Sequence, residues 1–207
     1  MKRVAVLLDG GFVLRKLYPL VGRRMPTADE VCDFAHRCIH NADEALFRIY
    51  FYHCRPCEGT ETHPLTRAAI DFAQSRTAAA MGAFLREIAL KDHVAFRAGE
   101  LSFDGWEIAR KAAKDLIATG RAVAPADVVP DLKQKRVDMK IGLDVAWLAS
   151  KRIVDRILLV TGDSDFVPAM KFARREGVQV ALVTLGHRQV KHDLVVHADE
   201  LRAVQYP

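Results

Sequence analysis

In the segment "LLVTGDSDFVPAM" at residues 158–170, a short apolar run is followed by two acids, Asp163 and Asp165, that stand only two residues apart. Carboxylates this close repel each other and raise each other's pKa unless a cation neutralises them. Two further acids have similar settings, because Asp9 ends the apolar run "RVAVLLD" and Asp138 follows the basic segment "LKQKRV". Carboxylate oxygens are the ligands that Mg²⁺ and Mn²⁺ prefer, so the four acids together predict a site for one or two such ions. The chemistry of that site would be hydrolysis of a phosphodiester by metal-activated water.

Each acid also has an ordinary structural explanation. Asp138 and Asp165 can cap or complement the N-termini of helices, an effect worth a few tenths to about 1 kcal/mol. Asp9 precedes Gly10 and Gly11 and can serve as a turn residue. A shared site requires all four acids to meet at one place in the fold, so the elements that carry them decide between the two explanations.

The pattern of strands and helices favours such a meeting. Short β-branched apolar runs alternate with longer helical patterns, which is typical of an α/β fold with a mostly parallel central sheet flanked by helices. Strands are predicted at residues 3–9, 45–53, 93–103 (one strand or two), 156–163 and 178–184. Ligands of such sheets bind beyond the carboxyl ends of the strands. Asp9 and Asp163 end two strands, and Asp138 and Asp165 begin helices, so all four are predicted near one crevice.

Helices are predicted between these strands, at residues 27–41, 63–90, 138–150 and 166–175. Thr27 and Glu30 have the spacing of a capping box at the start of the first helix. Apolar stripes are predicted in the second and third helices at Met81, Phe84, Leu85 and Ile88 and at Ile141, Val145 and Leu148. Residues 105–134 interrupt the alternation with an amphipathic helix and a loop containing Pro125 and Pro130. We therefore expect one domain over residues 1–207 with a helical insertion at about 105–134.

The composition limits the class of protein. The 207 residues suffice for one substantial core, and no apolar run approaches the roughly 20 residues of a membrane helix. The N-terminal apolar stretch, residues 4–8, is too short for a signal peptide, so we expect a cytoplasmic protein without a membrane partner. The formal net charge of +5 favours a polyanionic partner.

Common catalytic motifs of other enzyme classes are absent. The sequence contains no G-x-x-x-x-G-K-[ST], no G-x-G-x-x-G after the first strand and no G-x-S-x-G. A phosphatase with a nucleophilic Asp is disfavoured, because Gly11 stands where its second Asp would be. Cys54 and Cys57 form a single C-x-x-C, whereas structural zinc sites usually pair two such spacings. Buried or incidental thiols are therefore favoured over a zinc site.

Three segments resemble the NYN domains of the LabA-like family, which are relatives of the PIN-domain ribonucleases. They are "VAVLLDGGF" at residues 4–12, "LKQKRVDMKIGLDVAWLA" at 132–149 and "ILLVTGDSDFVPAMKFARREGVQVALVTLG" at 157–186. The third segment is the most specific, and together they spread over nearly the whole chain. The resemblance implies a PIN-like (NYN) three-layer α/β fold with an acidic, metal-dependent nuclease site that acts on RNA.

The resemblance also assigns residues to that site. The catalytic and metal-binding acids are Asp9, Asp138, Asp163 and Asp165, and the supporting hydroxyls are those of Thr161 and Ser164. Asp144 matches a further acid of the family, and two roles stay open for it: support of the site, or an ion pair with Lys140 at i, i+4. Phe12 departs from the family, because many members have Asn at this position and Phe cannot hydrogen-bond a phosphate.

Two groups of side chains are candidates for contact with nucleic acid. The basic residues before the second acid motif are candidates for phosphate contacts, which position a strand without reading its sequence: Lys133, Lys135 and Arg136. The aromatic candidates for base stacking, which are more often core residues, are Phe12, Phe166 and Trp106. The leading hypothesis is an endoribonuclease that uses Mg²⁺ or Mn²⁺. The alternative is a catalytically weak or inactive RNA-binding or regulatory module, and either form is compatible with a homodimer.

Overall fold

The computed structural model describes residues 1–185 and 190–206, so Gly186, at the end of the third motif, lies outside the described residues. The chain forms two compact units. Unit 1 contains Met1–His53, Phe84–Gly99 and Arg136–Pro207, and unit 2 contains Cys54–Ala83 and Glu100–Lys135. No helix in the described part of the chain is long and apolar enough to cross a membrane.

The elements follow one another in an α/β order. The strands are β1 (Lys2–Asp9), β2 (Glu44–Cys54), β3 (Thr60–Thr62), β4 (Ala69–Asp71), β5 (Val94–Ile108), β6 (Val128–Lys135), β7 (Arg156–Val160), β8 (Gln179–Val183) and β9 (Glu200–Arg202). The helices are α1 (Gly10–Leu17), α2 (Ala28–Arg37), α3 (Arg76–Ile88), α4 (Arg110–Thr119), α5 (Val137–Ser150), α6 (Val167–Arg175) and α7 (His192–Val196).

Seven of the described strands form a mostly parallel sheet in the order β6-β5-β2-β1-β7-β8-β9. The pairs β1 with β2, β1 with β7, β7 with β8 and β8 with β9 are parallel, and β5 with β6 is antiparallel. Strand β1 lies inside this order, and Val4 to Leu8 are fully buried. A parallel strand covered on both faces is expected to be apolar throughout, which explains the run "VAVLL". The predicted α/β class with a mostly parallel sheet is confirmed.

The helices of unit 1 follow the signals in the sequence. Helix α2 starts with the predicted capping box, in which Thr27 accepts from the backbone N–H of Glu30 and Glu30 accepts from that of Thr27. Helix α5 buries the predicted stripe of Ile141, Val145 and Leu148. Gly177, beyond the end of α6, has a φ of +82°, a conformation that favours glycine after a helix.

Unit 2 has smaller elements of its own. Strands β3 and β4 pair antiparallel, and β5 pairs with β6 from Glu100 to Ile108. The centre of unit 2 is an aromatic cluster of neighbouring rings from His63, Phe72, Phe103 and Trp106. Helix α4, the helix predicted within residues 105–134, has no buried residue.

Three secondary-structure predictions are wrong in part. Residues 63–90 are not one helix, because residues 60–62 and 69–71 pair as β3 and β4 and helix α3 begins only at Arg76. The one or two strands predicted at residues 93–103 correspond to one strand, β5, which begins at Val94, extends to Ile108 and shifts register against β6 between Phe103 and Trp106. The predicted loop containing Pro130 is strand β6, which lies at the end of the strand order, where a missing N–H is tolerated.

Candidate functional site

Strands β1 and β7 end side by side, with Leu8 opposite Val160. The next residue of each chain segment is polar: Asp9 closes β1, and Thr161 directly follows β7. The hydroxyl of Thr161, a buried side chain, donates a 3.0 Å hydrogen bond to Oδ2 of Asp9. Oδ1 of Asp9 accepts a 3.2 Å hydrogen bond from the backbone N–H of Phe12 and thereby caps helix α1. Both oxygens of Asp9 are therefore oriented by the elements beside it.

Asp163 lies three residues beyond the end of β7, not at the end of a strand that runs to residue 163 as predicted. Its backbone N–H donates a 3.1 Å hydrogen bond to the hydroxyl oxygen of Thr161. Its Oδ1 accepts a 3.1 Å hydrogen bond from the N–H of Asp165 and caps the 3-10 turn Ser164–Phe166. One hydroxyl, that of Thr161, therefore contacts the side chain of Asp9 and the backbone of Asp163.

Asp138 approaches from another element, as the second residue of helix α5. Its pKa is raised above the ordinary carboxyl range, first by partial burial and then by the negative charges of Asp9, Asp163 and Asp165. The N-terminus of a helix would by itself favour the charged carboxylate, so the other acids act on Asp138 against that preference. Unit 1 therefore brings the other three predicted acids within electrostatic range of Asp138.

A pocket of about 400 Å³ opens at this edge of the sheet. Its acidic and polar wall contains Asp9, Thr161 and Asp163. Three cationic side chains also line the pocket: Arg15, Lys16 and Lys191. The ammonium of Lys191 lies 3.0 Å from Oγ of Ser164 and 3.6 Å from Oδ1 of Asp163. Ser164 thus lies beside the acids, as the resemblance implied, with its hydroxyl bonded to a lysine.

The donor chemistry at this edge fits Mg²⁺ or Mn²⁺, because the available atoms are carboxylate and hydroxyl oxygens. The pKa of Asp138 is raised first by partial burial and then by the charges of three other acids, and a divalent cation would neutralise those charges. Within the part of the chain that the structure describes, no three His, Cys, Asp or Glu side chains are grouped closely enough to hold one ion. The acids therefore share an electrostatic field but do not form a preassembled coordination shell.

Asp144 is buried on α5 and pairs with a residue distant in sequence. Its carboxylate accepts hydrogen bonds from Nε and Nη2 of Arg97 at 2.8 and 2.5 Å and from the hydroxyl of Tyr52 at 2.8 Å. Burial and then the charge of Asp144 raise the pKa of Tyr52 well above its usual value. Of the two roles left open for Asp144, the ion pair with Lys140 is not found, because the ammonium of Lys140 donates to the carbonyl oxygen of Ala98 and Arg97 pairs with Asp144.

The other predicted contact residues have varied surroundings. Lys133 in unit 2 pairs with Asp104 and lies 3.2 Å from Asp131, whereas Lys135 and Arg136 are exposed. The candidate stacking rings of Phe12 and Phe166 are only 5% and 2% exposed, so neither presents an open face to a base. Trp106 packs in the aromatic cluster of unit 2.

The cysteines behave as buried or partly buried thiols. Sγ of Cys54 donates to the carbonyl oxygen of Glu100 at 3.0 Å, and Cys57 is buried close to that of Glu58. Burial raises the pKa of Cys38 to about 12, where the thiol stays protonated. The described residues contain no grouping of Cys and His that could hold a metal ion.

Three cations of the pocket were not predicted as site residues. Arg15 and Lys16 form a basic pair in the last turn of α1, a pattern equally expected from the helix dipole. Lys191 follows the last motif, and no residue pattern around it indicates a site. Their common position could be found only from the fold, which places their side chains around the pocket beyond β1 and β7.

Comparisons with known proteins agree with this fold. The NYN domain family matches residues 80–204, which include Asp138, Asp163 and Asp165 but not Asp9. A crystal structure of a protein of unknown function from Vibrio parahaemolyticus is similar, with 17% sequence identity, a TM-score of 0.50 and coverage of 99% of this chain and 93% of that chain. This likeness concerns the fold alone, and no curated protein matches the chain. Since the match spans more than half of the chain, the chain belongs to the NYN domain family, a group of PIN-like nucleases.

Proposed function

We propose that this NYN domain is a metal-dependent endoribonuclease that hydrolyses phosphodiester bonds of RNA. The observation that carries the proposal is the approach of four carboxylates from three parts of the fold: the end of β1, the start of α5 and the turn after β7. Asp9, Asp163 and Asp165 all act electrostatically on Asp138, so the four share one locality. Such a concentration of like charge is unfavourable alone and becomes favourable around a divalent cation.

The roles of the residues follow from their contacts. Asp9, Asp138, Asp163 and Asp165 would hold Mg²⁺ or Mn²⁺, which when bound polarises the phosphodiester and activates the attacking water. The Thr161 hydroxyl orients Asp9 and fixes the backbone of Asp163. The helix N-terminus capped by Asp9 adds a positive dipole end at the same place. The chain thus supplies oriented anionic ligands on a rigid strand edge.

The alternative function, an RNA-binding module with little or no turnover, is favoured by Phe12. Its ring is buried and lines the pocket beside Asp9, where it offers no hydrogen bond to a ligand. The absence of a preassembled three-carboxylate grouping among the described residues is compatible with the same view. The two functions differ in whether phosphodiester bonds are broken.

The decisive experiment uses circular single-stranded RNA, because only an endonuclease can open a circle. Purified protein is incubated with the circle in Mg²⁺ or Mn²⁺ beside Asp163→Asn and a surface control, Asp33→Asn, whose exposed carboxylate pairs with Arg37 on α2. We expect linear products from wild type and Asp33→Asn and at least about a hundredfold less from Asp163→Asn, the loss of a group acting in the transition state.

Each other outcome decides against part of the proposal. Retarded mobility of the circle without cleavage by any variant supports the binding module. Cleavage that Asp163→Asn retains in full shows that the nuclease activity does not reside at this edge. Cleavage of linear RNA but not of the circle replaces the endonuclease with an exonuclease.

A further inference from the structure

The lining of the pocket beyond β1 and β7 contains groups of both charges. The acids are Asp9 and Asp163, and the cations are Arg15, Lys16 and Lys191. A phosphodiester that approaches four carboxylates is repelled unless cations of the protein face it as well. These three cations can therefore offset the repulsion between the carboxylates and an anionic substrate that enters the pocket.

Phe12 helps to position the cations on α1. Its ring packs on Gly162 so closely that a Cβ added to Gly162 would lie 2.6 Å from Cε2 of Phe12. The ammonium of Lys16 lies 5.6 Å from the centroid of the same ring, a cation–π distance. Phe12 thus offers no hydrogen bond of its own but holds a lysine ammonium at the pocket.

The two cations on α1 are also available for a ligand. Among the described residues, neither Arg15 nor Lys16 forms an ion pair with a carboxylate. Lys133, one of the basic residues expected to contact phosphate, already pairs with Asp104 and Asp131. The side chain of Lys191 is 56% exposed, and its ammonium contacts Ser164 and Asp163.

We propose that Arg15, Lys16 and Lys191 form a phosphate-binding subsite that takes the phosphoryl group of one unpaired nucleotide. The inference rests on the proposed function for its biological substrate and deepens it. The volume of about 400 Å³ lies in the range of small-ligand pockets, which is consistent with one nucleotide. Contacts of this kind bind the backbone without reading the base, so we expect little sequence preference.

The test measures binding in metal-depleted buffer, so that it does not depend on catalysis. A fluorescently labelled single-stranded hexanucleotide RNA is titrated with wild type, Lys16→Met and Lys191→Met. Lys171→Met is the matched control, because it removes the same charge from an exposed position on α6 outside this pocket. Lys16→Arg keeps the cation and should restore binding. Adenosine monophosphate and adenosine serve as competitors.

We expect Lys16→Met and Lys191→Met each to weaken RNA binding about 5- to 10-fold. Each should also reduce the magnitude of the slope of log association constant against log salt concentration by roughly one, as expected for loss of one phosphate contact. Lys171→Met should change affinity less than about 2-fold, since it removes only a distant charge. Adenosine monophosphate should displace the RNA, and adenosine should not. Unchanged melting temperatures of the variants would show that they are folded.

Other results separate this inference from the nuclease proposal. Equal binding by Lys16→Met, Lys191→Met and Lys171→Met, or equal competition by adenosine and its monophosphate, overturns the subsite. Loss of binding in the pocket variants with no cleavage by wild type in any metal retains the subsite and overturns the nuclease. Cleavage by wild type with the KM unchanged in both pocket variants retains the nuclease and overturns the subsite.

Discussion

The hydroxyl of Thr161 donates a 3.0 Å hydrogen bond to Oδ2 of Asp9 and joins the ends of two neighbouring parallel strands. The same oxygen accepts a 3.1 Å hydrogen bond from the N–H of Asp163. Thr161 is 2% exposed, so water does not replace these partners easily. The position of the two acids relative to each other therefore depends on one buried hydroxyl.

Thr161→Val should impair both the stability and the activity of the protein. Valine has nearly the same shape but leaves the N–H of Asp163 without its partner and removes the hydroxyl donor to Oδ2 of Asp9, while Oδ1 keeps the N–H of Phe12. We expect a loss of about 1–3 kcal/mol in the free energy of unfolding, the usual effect of a lost hydrogen bond to a charged group. Nuclease kcat/KM should fall about tenfold, equivalent to roughly 1.4 kcal/mol. Urea unfolding and initial cleavage rates measure the two effects.

Thr161→Ser is the matched control, because it keeps the hydroxyl and removes only a methyl group. It should retain most of the activity and cost less than about 1.5 kcal/mol, as a small core truncation does. A serine variant as impaired as the valine variant would show that packing of the methyl group, not the hydroxyl, positions the acids.

Gly162→Ala should destabilise the protein through a clash with Phe12. The new Cβ would lie 2.6 Å from Cε2 of Phe12, a separation that forces the ring to move. Overpacking of this kind costs about 1–3 kcal/mol. By contrast, Gly142→Ala in helix α5 has no neighbour within 4 Å of the added Cβ and should stabilise by about 0.5–1 kcal/mol, the helix propensity difference.

A double-mutant cycle assigns the clash to its partner. Phe12→Leu removes the edge of the ring, so Gly162→Ala should cost less in that background, with a coupling energy of about 0.5–3 kcal/mol. Denaturant unfolding of the four proteins measures it. Additive effects of the two substitutions would mean that the alanine is accommodated elsewhere.

The sequence predicts those parts of the fold that depend on long apolar patterns. Strands β1, β7 and β8 are buried on both faces, so their composition alone identifies them, and the stripe of α5 follows from its helical period. The positions of Asp9 and Asp138 next to these elements follow directly. The hairpin of β3 and β4 escapes prediction because three-residue, mostly exposed strands carry no periodicity.

Residue spacing along the sequence also does not predict contacts between segments that are distant in sequence. Asp144 stands four residues from Lys140, yet it pairs with Arg97, which lies 47 residues away in sequence. Tyr52, on another strand, completes the same cluster. Lys191 reaches the acids for the same reason: its place is decided by the packing of unit 1 and not by its sequence neighbours.

Glu44→Gln should strongly destabilise the protein at neutral pH. The Glu44 side chain is fully buried and accepts hydrogen bonds from Arg202, Arg156 and the backbone N–H of His40. Burial alone would raise the pKa of Glu44, but the bonds from Arg202 and His40 outweigh it and lower the pKa to about 2. Removing one partner of a buried pair costs about 3 kcal/mol or more.

The effect of this pair should depend on pH. The pKa of Glu44 is below the value of about 4.3 for an unfolded Glu, so its contribution is complete above that pH and is lost as the pH falls towards 2. Urea unfolding at pH 7, 4 and 3 should therefore show a shrinking difference between wild type and Glu44→Gln. The surface control Glu87→Gln, which loses only an exposed pair with Lys91, should differ from wild type by less than about 1 kcal/mol. A difference for Glu44→Gln that stays constant with pH would contradict this account.

Asp138→Asn should stabilise the protein in metal-free buffer and remove its response to metal. The pKa of Asp138 is raised above the unfolded value of about 3.9, first by partial burial and then by Asp9, Asp163 and Asp165. The folded state therefore binds the carboxyl proton of Asp138 more tightly than the unfolded state does. As the pH rises above about 4 and this proton is lost, the free energy of unfolding decreases. The asparagine variant should accordingly melt at a higher temperature than wild type at pH 7, and this advantage should vanish below about pH 4.

Mn²⁺ should raise the melting temperature of wild type more than that of Asp138→Asn, because an ion that binds only the folded state stabilises that state. A variant that melts lower than wild type at pH 7 without metal would mean that the favourable interaction of Asp138 with the N-terminus of α5 outweighs its repulsion by the other acids.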